Sequence, residues 1–370
     1  MDSFIDYICC VKNTSWKTKP FCKEDACILG MMAYLNYDGL VEDTRGGLVS
    51  LDELANSRDF LKMFPKYNMK EYRLLFDTLW ASERFGNMKL GCYVNRIEAD
   101  NDTQFAAITF VVSGEFVYVA FRGTDDNIIG WEEDFKLALN KPIMGQMLSV
   151  KYINDVASRF RGSFYIGGHS KGGNLAVYSA MNCVEHIRER ITKIYAMDSP
   201  GFRKEILLES GFDRIRDKVV CIIPDQSIIG MLFAYDCEIF VVASHVSGVH
   251  QHTMFTWIIK GDCMKEARIS DAHKNFLNML NGWLYSQNEC EMEQFVALSC
   301  NILNSLGAST VSELRKDKIK TMVEFIKTTS GLDAESKKRL AKMMRAYIKS
   351  YSQKFFPQRT NSVPRLEAKD

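Results

Sequence analysis

Apolar and polar positions follow different periods in successive parts of this chain of 370 residues. Up to about residue 90 the apolar positions recur at helical spacing, which predicts helices over 25–35, 51–57 and 69–82. The first of these helices is apolar nearly all round, as expected for a buried helix, and Asp25 near its start suits the helix dipole. Residues 1–22 are mixed in character, with Lys and Pro, and we expect them to wrap the surface.

From Gly91 the pattern changes to short β-branched and aromatic runs, which are typical of strands. The first three runs predict an antiparallel start to a sheet, because the dipeptide Ser113-Gly114 marks a turn between the second and the third. Strands and helices then alternate, which predicts a mostly parallel sheet covered on both faces. The predicted strands are 92–99, 104–112, 115–122, 164–166, 193–197, 218–223 and 237–244, and the predicted helices between them are 131–139, 149–160 and 174–181.

After Lys265 the pattern is wholly helical, with helices predicted over 265–285, 290–306, 311–328 and 334–355. The last of them carries a row of basic residues, which we interpret as a solvated face, with a membrane or partner surface as the alternative. These residues are Lys337, Lys338, Arg339, Lys342, Arg345 and Lys349.

The predicted fold class is therefore α/β, with a mostly parallel central sheet between two helical regions. The predicted domains are a helical N-terminal lead-in (1–90), an α/β core (91–262), an all-helical C-terminal extension (263–356) and a flexible tail (357–370).

Composition narrows the functional classes. The net charge is +1, and no basic stripe interleaved with aromatic residues occurs outside the C-terminal helices, which argues against a nucleic-acid partner. The eleven cysteines are scattered, odd in number and lack metal-ligand spacing, which predicts free thiols and no metal site. With no secretion-signal pattern at the N-terminus and no apolar run long enough to span a membrane, we expect a cytoplasmic protein.

One stretch carries recognisable chemistry. The apolar run Phe164-Tyr-Ile166 leads through glycines into Gly168-His-Ser-Lys-Gly172, and a helix-forming run follows. A strand, a sharp turn and a helix around G-x-S-x-G are typical of a nucleophile elbow, in which the flanking glycines let strand and helix approach closely. We therefore predict Ser170 as a nucleophile.

A serine nucleophile needs a base, and the base needs an orienting carboxylate. In chain order Ser, acid, His, the candidate acid is Asp225, which follows an apolar strand; Asp198, which also ends a strand, is the alternative. The loop beyond the next strand offers His250 and His252, one of which should be the base.

Acyl transfer also requires donors to the oxyanion that forms on the attacked carbonyl. The backbone N–H of Lys171, which follows the nucleophile, is one natural donor. The strand ending at Phe121 runs into Arg122-Gly-Thr124, a turn from which a second donor can come.

Taken together, Phe121-Arg-Gly-Thr124, Gly168-His-Ser-Lys-Gly-Gly173 and Ile222-Ile-Pro-Asp225 resemble the class 3 lipase group of α/β-hydrolases, and more closely the bacterial Mbeg1-like family. The resemblance extends over about residues 20–260. It implies an α/β-hydrolase fold with Ser170 as nucleophile, Asp225 as acid, Thr124 as an oxyanion donor and, from the family's Gln-His pair, His252 rather than His250 as base.

One position departs from that pattern. Class 3 lipases usually have an apolar residue after the serine, whereas this chain has Lys171, which could favour an anionic substrate or simply reach solvent. The hypothesis is thus a serine hydrolase that cleaves a carboxylic ester or thioester and needs no cofactor. A non-catalytic interaction protein on the same scaffold and an acyltransferase are the alternatives. The lid, if there is one, could be the apolar segment 228–234 or the N-terminal helices.

Overall fold

The computed structural model of the protein describes residues 2–98, 103–112, 114–125, 128–209, 211–233 and 236–305, together with position 338. Its centre is an eight-stranded sheet in which the strands lie side by side in chain order. These strands are β1 (Val49–Ser50), β2 (Lys89–Glu98), β3 (Thr103–Val112), β4 (Phe116–Phe121), β5 (Phe164–His169), β6 (Ile191–Met197), β7 (Val219–Pro224) and β8 (Glu238–Val242). A separate hairpin pairs β9 (Ile259–Lys260) with β10 (Cys263–Met264).

The direction of pairing changes at β4. Strands β1 to β4 pair antiparallel, and β4 to β8 pair parallel, so the predicted antiparallel start and parallel continuation are both confirmed. In this register Gly168 of β5 faces Phe121 of β4, and His169 faces Met197 of β6. Because parallel strands end at the same edge of a sheet, the residues that follow β4, β5, β6 and β7 lie together there.

Helices pack on both faces of the sheet. Before β2 lie α1 (Phe4–Val11), α2 (Lys23–Met32), α3 (Leu51–Ala55), α4 (Met69–Trp80) and α5 (Glu83–Gly86). The helices α6 (Ile128–Lys136), α7 (Met144–Arg159), α8 (Lys171–Asn182), α9 (Glu185–Arg190) and α10 (Lys204–Glu209) alternate with the parallel strands. After β10 come α11 (Asp271–Ser286) and α12 (Glu289–Ser305).

The core has two main parts, one on each face of the sheet. On one face the N-terminal helices α1, α2 and α4 pack against side chains such as Tyr118 and Met197. On the other face α7 and α8 cover Phe121 and Ile166. The N-terminal helices therefore share a core with the sheet, which explains why α2 is apolar nearly all round.

The expectation that residues 1–22 wrap the surface is wrong for α1. Ser3 caps this helix, since its hydroxyl accepts from the Asp6 N–H while the Asp6 carboxylate accepts from the Ser3 N–H. This reciprocal cap starts an amphipathic helix that buries Phe4, Tyr7, Ile8 and Val11. The segment is thus part of the core.

The C-terminal region begins later than predicted. The helix expected from residue 265 begins at Asp271, where the Ser270 hydroxyl accepts from the His273 N–H, because β10 and an extended segment come first. The predicted helices 311–328 and 334–355 and the tail 357–370 lie outside the described residues, apart from position 338. Of the helices that are described, none is long and apolar enough to cross a membrane.

Candidate active site

The turn between β5 and α8 holds Ser170 in an unusual backbone conformation. Its φ is 58° and its ψ is −130°, a region that non-glycine residues adopt only when the surrounding structure imposes it. One contact that holds this conformation is the hydrogen bond from the Ser170 N–H to the Met197 carbonyl, at 2.9 Å. Strand, turn and helix thus follow the order that the sequence predicts, and Ser170 stands at the sheet edge where the parallel strands end.

The glycines on either side of Ser170 are required by close packing, as predicted. A Cβ at Gly168 would collide with the backbone of Gly172 and with the Phe121 carbonyl. A Cβ at Gly172 would collide with the same carbonyl. Only glycine at both positions therefore lets α8 begin directly against the end of β4.

A histidine and a carboxylate meet beside this turn. His252 Nδ1 lies 2.6 Å from Asp198 Oδ2, and the Asp198 side chain is 1% exposed while that of His252 is 29% exposed. Burial alone would raise the pKa of Asp198, but the hydrogen bond and charge of His252 and the hydroxyl of Ser227 outweigh it, and the pKa lies below its usual value. Asp198 is therefore a buried, ionised partner of the imidazole.

Asp225, the acid that the sequence favoured, does not occupy this position. Its Oδ1 accepts from Gln251 Nε2 at 2.7 Å, and Gln251 in turn accepts from the Gln226 N–H at 2.8 Å. Asp225 thus helps to tie the loop after β7 to the loop that carries His252. The alternative that the sequence offered, Asp198, is the carboxylate that contacts the ring.

Of the two candidate histidines, His252 makes the carboxylate contact, whereas the His250 side chain is exposed. The loop between Ser247 and Thr253 is a 3-10 turn, held from inside by the buried Gln251. Its Trp257 neighbour supports the same turn by donating from Nε1 to the Gln251 carbonyl at 2.8 Å.

A second histidine, His169, lies between His252 and Ser170. The sequence predicts for it no role beyond a place in the turn. His169 precedes the serine, its ring centroid lies 4.4 Å from that of His252, and its Nε2 is 2.8 Å from the His252 carbonyl. Its Nδ1 is 2.9 Å from the hydroxyl of Tyr34. Burial lowers the pKa of His169 to about 3, so the ring is neutral and its Nε2–H donates to the His252 carbonyl.

The side chain of Lys171 faces neither solvent nor the space in front of Ser170. It is fully buried, and its Nζ lies 2.7 Å from Glu133 Oε2 in α6. Glu133 also accepts from the N–H groups of Gln104 and Gly145, at 3.1 and 3.0 Å. The expectation that this side chain reaches solvent is therefore wrong, and its charge is paired with Glu133 inside the protein.

The Lys171 backbone, in contrast, lies at the start of a helix. Lys171 is the first residue of α8, and the first N–H groups of a helix have no carbonyl partner within it. Its N–H is thus a donor beside Ser170, supported by the dipole of the helix.

Thr124 lies in the turn after β4, next to a glycine that is close to Ser170. The interposed Gly123 is close to Ser170, since a Cβ on that glycine would lie 3.1 Å from Ser170 Cβ. The Thr124 hydroxyl donates to the Gly130 carbonyl at 3.4 Å. Burial raises the pKa of Asp134 to about 6, against the lowering effects of Lys171 and of Thr124.

The structure thus places Ser170, the His252–Asp198 pair, Thr124 and Lys171 at one edge of the sheet, whereas Asp225 contacts Gln251 and the His250 side chain is exposed. Within the described ranges, no group of three or more His, Cys, Asp or Glu residues is arranged to hold a metal ion.

Comparison with known proteins places this chain in a family. A family model described as Mbeg1-like matches residues 79–299, which include every residue of the site except Tyr34. Among curated proteins, none matches the sequence.

Proposed function

This chain belongs to the Mbeg1-like family, and from that premise we propose that it is a serine hydrolase of the α/β-hydrolase fold, related to class 3 lipases. It cleaves a carboxylic ester or thioester through an acyl intermediate on Ser170. The observation that carries the proposal is the 2.6 Å contact between His252 and the buried carboxylate of Asp198, next to a serine with strained backbone.

Asp198 determines the state of the base. Because Asp198 holds the Nδ1–H of His252, the other ring nitrogen, Nε2, has a free lone pair and acts as the acceptor of a proton. His252 takes the proton of the Ser170 hydroxyl as its oxygen attacks the substrate carbonyl. The charged imidazole that results is stabilised by the ionised Asp198, and it then returns the proton to the departing alcohol or thiol. Water then attacks the acyl-serine ester while His252 takes its proton, and His252 returns that proton to Ser170 as the carboxylic acid is released.

The negative charge that develops on the substrate oxygen is held by backbone donors. The Lys171 N–H at the start of α8 and the Thr124 N–H after β4 flank Ser170 and form the proposed oxyanion hole. The hydrogen bond from the Thr124 hydroxyl to the Gly130 carbonyl supports this role, because it ties the turn after β4 to the start of α6.

The substrate class follows from what surrounds the serine. The charge of Lys171 is taken up by Glu133, so nothing in this residue selects an anionic ester. We propose an acyl ester or thioester of the cytoplasm, in keeping with eleven cysteines that form no disulfide in the part of the chain described. An acyltransferase would use the same acyl-enzyme with an alcohol or thiol in place of water.

Hydrolysis of short p-nitrophenyl esters tests the proposal, with variants chosen in pairs. Ser170→Ala and His252→Ala should abolish turnover, while His250→Ala, which alters an exposed neighbour, should keep it. Asp198→Asn should reduce kcat by about 10,000-fold, since it disturbs the histidine tautomer.

Asp225→Asn is the matched control for Asp198→Asn. It retains an oxygen that can accept from Gln251 and should cost less than about tenfold. If Asp225→Asn were the more damaging of the two, the acid would be Asp225. A wild-type protein without hydrolytic or transfer activity on any ester would favour the non-catalytic interaction protein.

A further inference from the structure

The second oxygen of Asp198, the one that His252 does not use, is enclosed by a short turn after β7. Asp198 Oδ1 accepts from the Ser227 hydroxyl and from the Gly230 N–H, the latter at 3.1 Å. The Gly230 N–H also lies 2.9 Å from Ser227 Oγ. Both side chains are buried, with Asp198 1% and Ser227 3% exposed. Both carboxylate oxygens therefore accept hydrogen bonds, Oδ2 from His252 and Oδ1 from this turn.

The turn itself is held by α11, which follows the parallel sheet in the chain. His273 Nε2 lies 2.7 Å from the Ser227 carbonyl, and since a carbonyl only accepts, this nitrogen carries the proton. Asn281 Nδ2 donates to the Met231 carbonyl at 2.7 Å, and its Oδ1 accepts from the Phe233 N–H at 2.9 Å. Residues 273 and 281 are about two turns apart, which places both on one face of the helix.

The segment 227–233 is also fastened to the chain that leaves Asp198. The N–H of Gly201 donates to the Leu232 carbonyl at 2.8 Å, and the N–H of Phe202 donates to the Phe233 carbonyl at 3.1 Å. The Phe233 side chain packs with Leu284 of α11 in a small apolar cluster. The segment thus forms a bridge with α11 on one side and the Asp198 loop on the other.

We propose that Ser227 and His273 are positioning residues, through which α11 sets the orientation and the hydrogen bonding of Asp198 against His252. The inference rests on the proposed function, because it concerns the same carboxylate. Its physical basis is that each donor to a buried carboxylate spreads part of its charge and helps to fix its orientation. On this proposal, α11 contributes to the geometry of the site through its contacts with the segment 227–233.

The test compares removal of each group with its conservative replacement in the full chain. Ser227→Ala removes the hydroxyl and should lower kcat for a p-nitrophenyl ester roughly 10- to 100-fold, the loss expected for one hydrogen bond to a buried charge, with KM unchanged. Ser227→Thr retains the hydroxyl and should restore most of kcat. His273→Leu should resemble Ser227→Ala, and His273→Gln, which can still donate to the Ser227 carbonyl, should be milder.

A titration of His252 followed by NMR provides a readout that does not require activity. Its resonances are identified by their loss in His252→Ala. Ser227→Ala should raise the pKa of His252, because the Asp198 charge is then less neutralised by hydrogen bonding, whereas Ser227→Thr should not. Ser158→Ala, which removes an exposed serine hydroxyl bonded to the Asp155 carbonyl, is the control and should change neither kcat nor this pKa.

The inference is overturned if Ser227→Ala keeps the wild-type kcat and the wild-type His252 titration. It is equally overturned if kcat falls only in step with thermal stability and threonine gives no rescue. A wild type that hydrolyses no ester would contradict the proposed function instead, and the titration would still decide whether Ser227 acts on the Asp198–His252 pair.

Discussion

The buried ion pair next to Ser170 offers a quantitative test of the structure. Lys171 Nζ and Glu133 Oε2 are 2.7 Å apart, and the side chains are 0% and 2% exposed. At an effective dielectric constant of 20, the Coulomb attraction at this distance is about 6 kcal/mol, most of which offsets the cost of burying the two charges. Removal of one partner therefore matters more than the net strength of the pair.

Lys171→Met removes the cation but keeps the aliphatic volume and the backbone N–H. Glu133 would then be a buried carboxylate whose remaining donors, among the residues that the structure describes, are the N–H groups of Gln104 and Gly145. Breaking such a pair typically costs about 3–5 kcal/mol, and these two donors place the expected loss of unfolding free energy near the lower end, at about 3 kcal/mol. Adding Glu133→Gln removes the stranded charge, and the double variant should regain at least about 1 kcal/mol.

Urea unfolding at neutral pH measures these differences. Lys151→Met is the matched control, because Lys151 pairs with Asp155 on the surface, where its side chain is 70% exposed; the expected loss there is below about 0.5 kcal/mol. If Lys171→Met were as mild as this control, or if Glu133→Gln made it worse, the ion pair would not be buried as described. Esterase selectivity between neutral and anionic substrates should be the same in wild type and Lys171→Met.

Two further predictions concern single groups near the serine and on α11. The pKa of Asp134 is raised from 3.8 to about 6, so the wild type loses up to about 3 kcal/mol of stability as pH rises through this interval. Relative to wild type, Asp134→Asn should gain most of that amount between pH 4 and pH 8, and a constant difference in urea unfolding would contradict a raised pKa for this carboxyl. Gly172→Ala should destabilise by about 1–3 kcal/mol because its Cβ meets the Phe121 carbonyl, whereas Gly282→Ala, in an open and exposed part of α11, should stabilise by about 0.5–1 kcal/mol; equal effects on the thermal midpoint would refute the packing argument.

Local sequence pattern was sufficient for most elements of the sheet and for the turn at Ser170. The apolar residues of a strand such as Phe164–His169 predict that strand by themselves, and the neighbouring glycines predict the sharp turn that follows. The start of α1 also has a local signal, because Ser3 and Asp6 form a reciprocal cap there.

The choice of acid could not be made from the sequence, for a geometric reason. Asp198 and Asp225 each follow a parallel strand, so both reach the same edge of the sheet, and chain order allows either. Which carboxylate meets His252 depends on the conformation of the loop 225–230. In that conformation Ser227 and Gly230 donate to Asp198, and Gln251 donates to Asp225. These contacts join residues 25 or more positions apart, so they produce no periodic pattern in the sequence.

The same limit explains the misinterpretation of Lys171. Its position after the nucleophile suggested a cation at the substrate, but the first turn of α8 points this side chain towards Glu133, which lies 38 positions earlier in the chain. His169 and Tyr34, 135 positions apart, form a contact that is equally invisible to sequence spacing.

Labelling of the purified protein with a fluorophosphonate, followed by mass spectrometry of the labelled peptide, tests the central claim most directly. If Ser170 is an activated nucleophile, one label should be found on it, and labelling should be absent in Ser170→Ala and strongly slowed in His252→Ala and in Asp198→Asn. Labelling elsewhere, or unchanged labelling in Ser170→Ala, would contradict the account, as would a wild type that does not react with the probe.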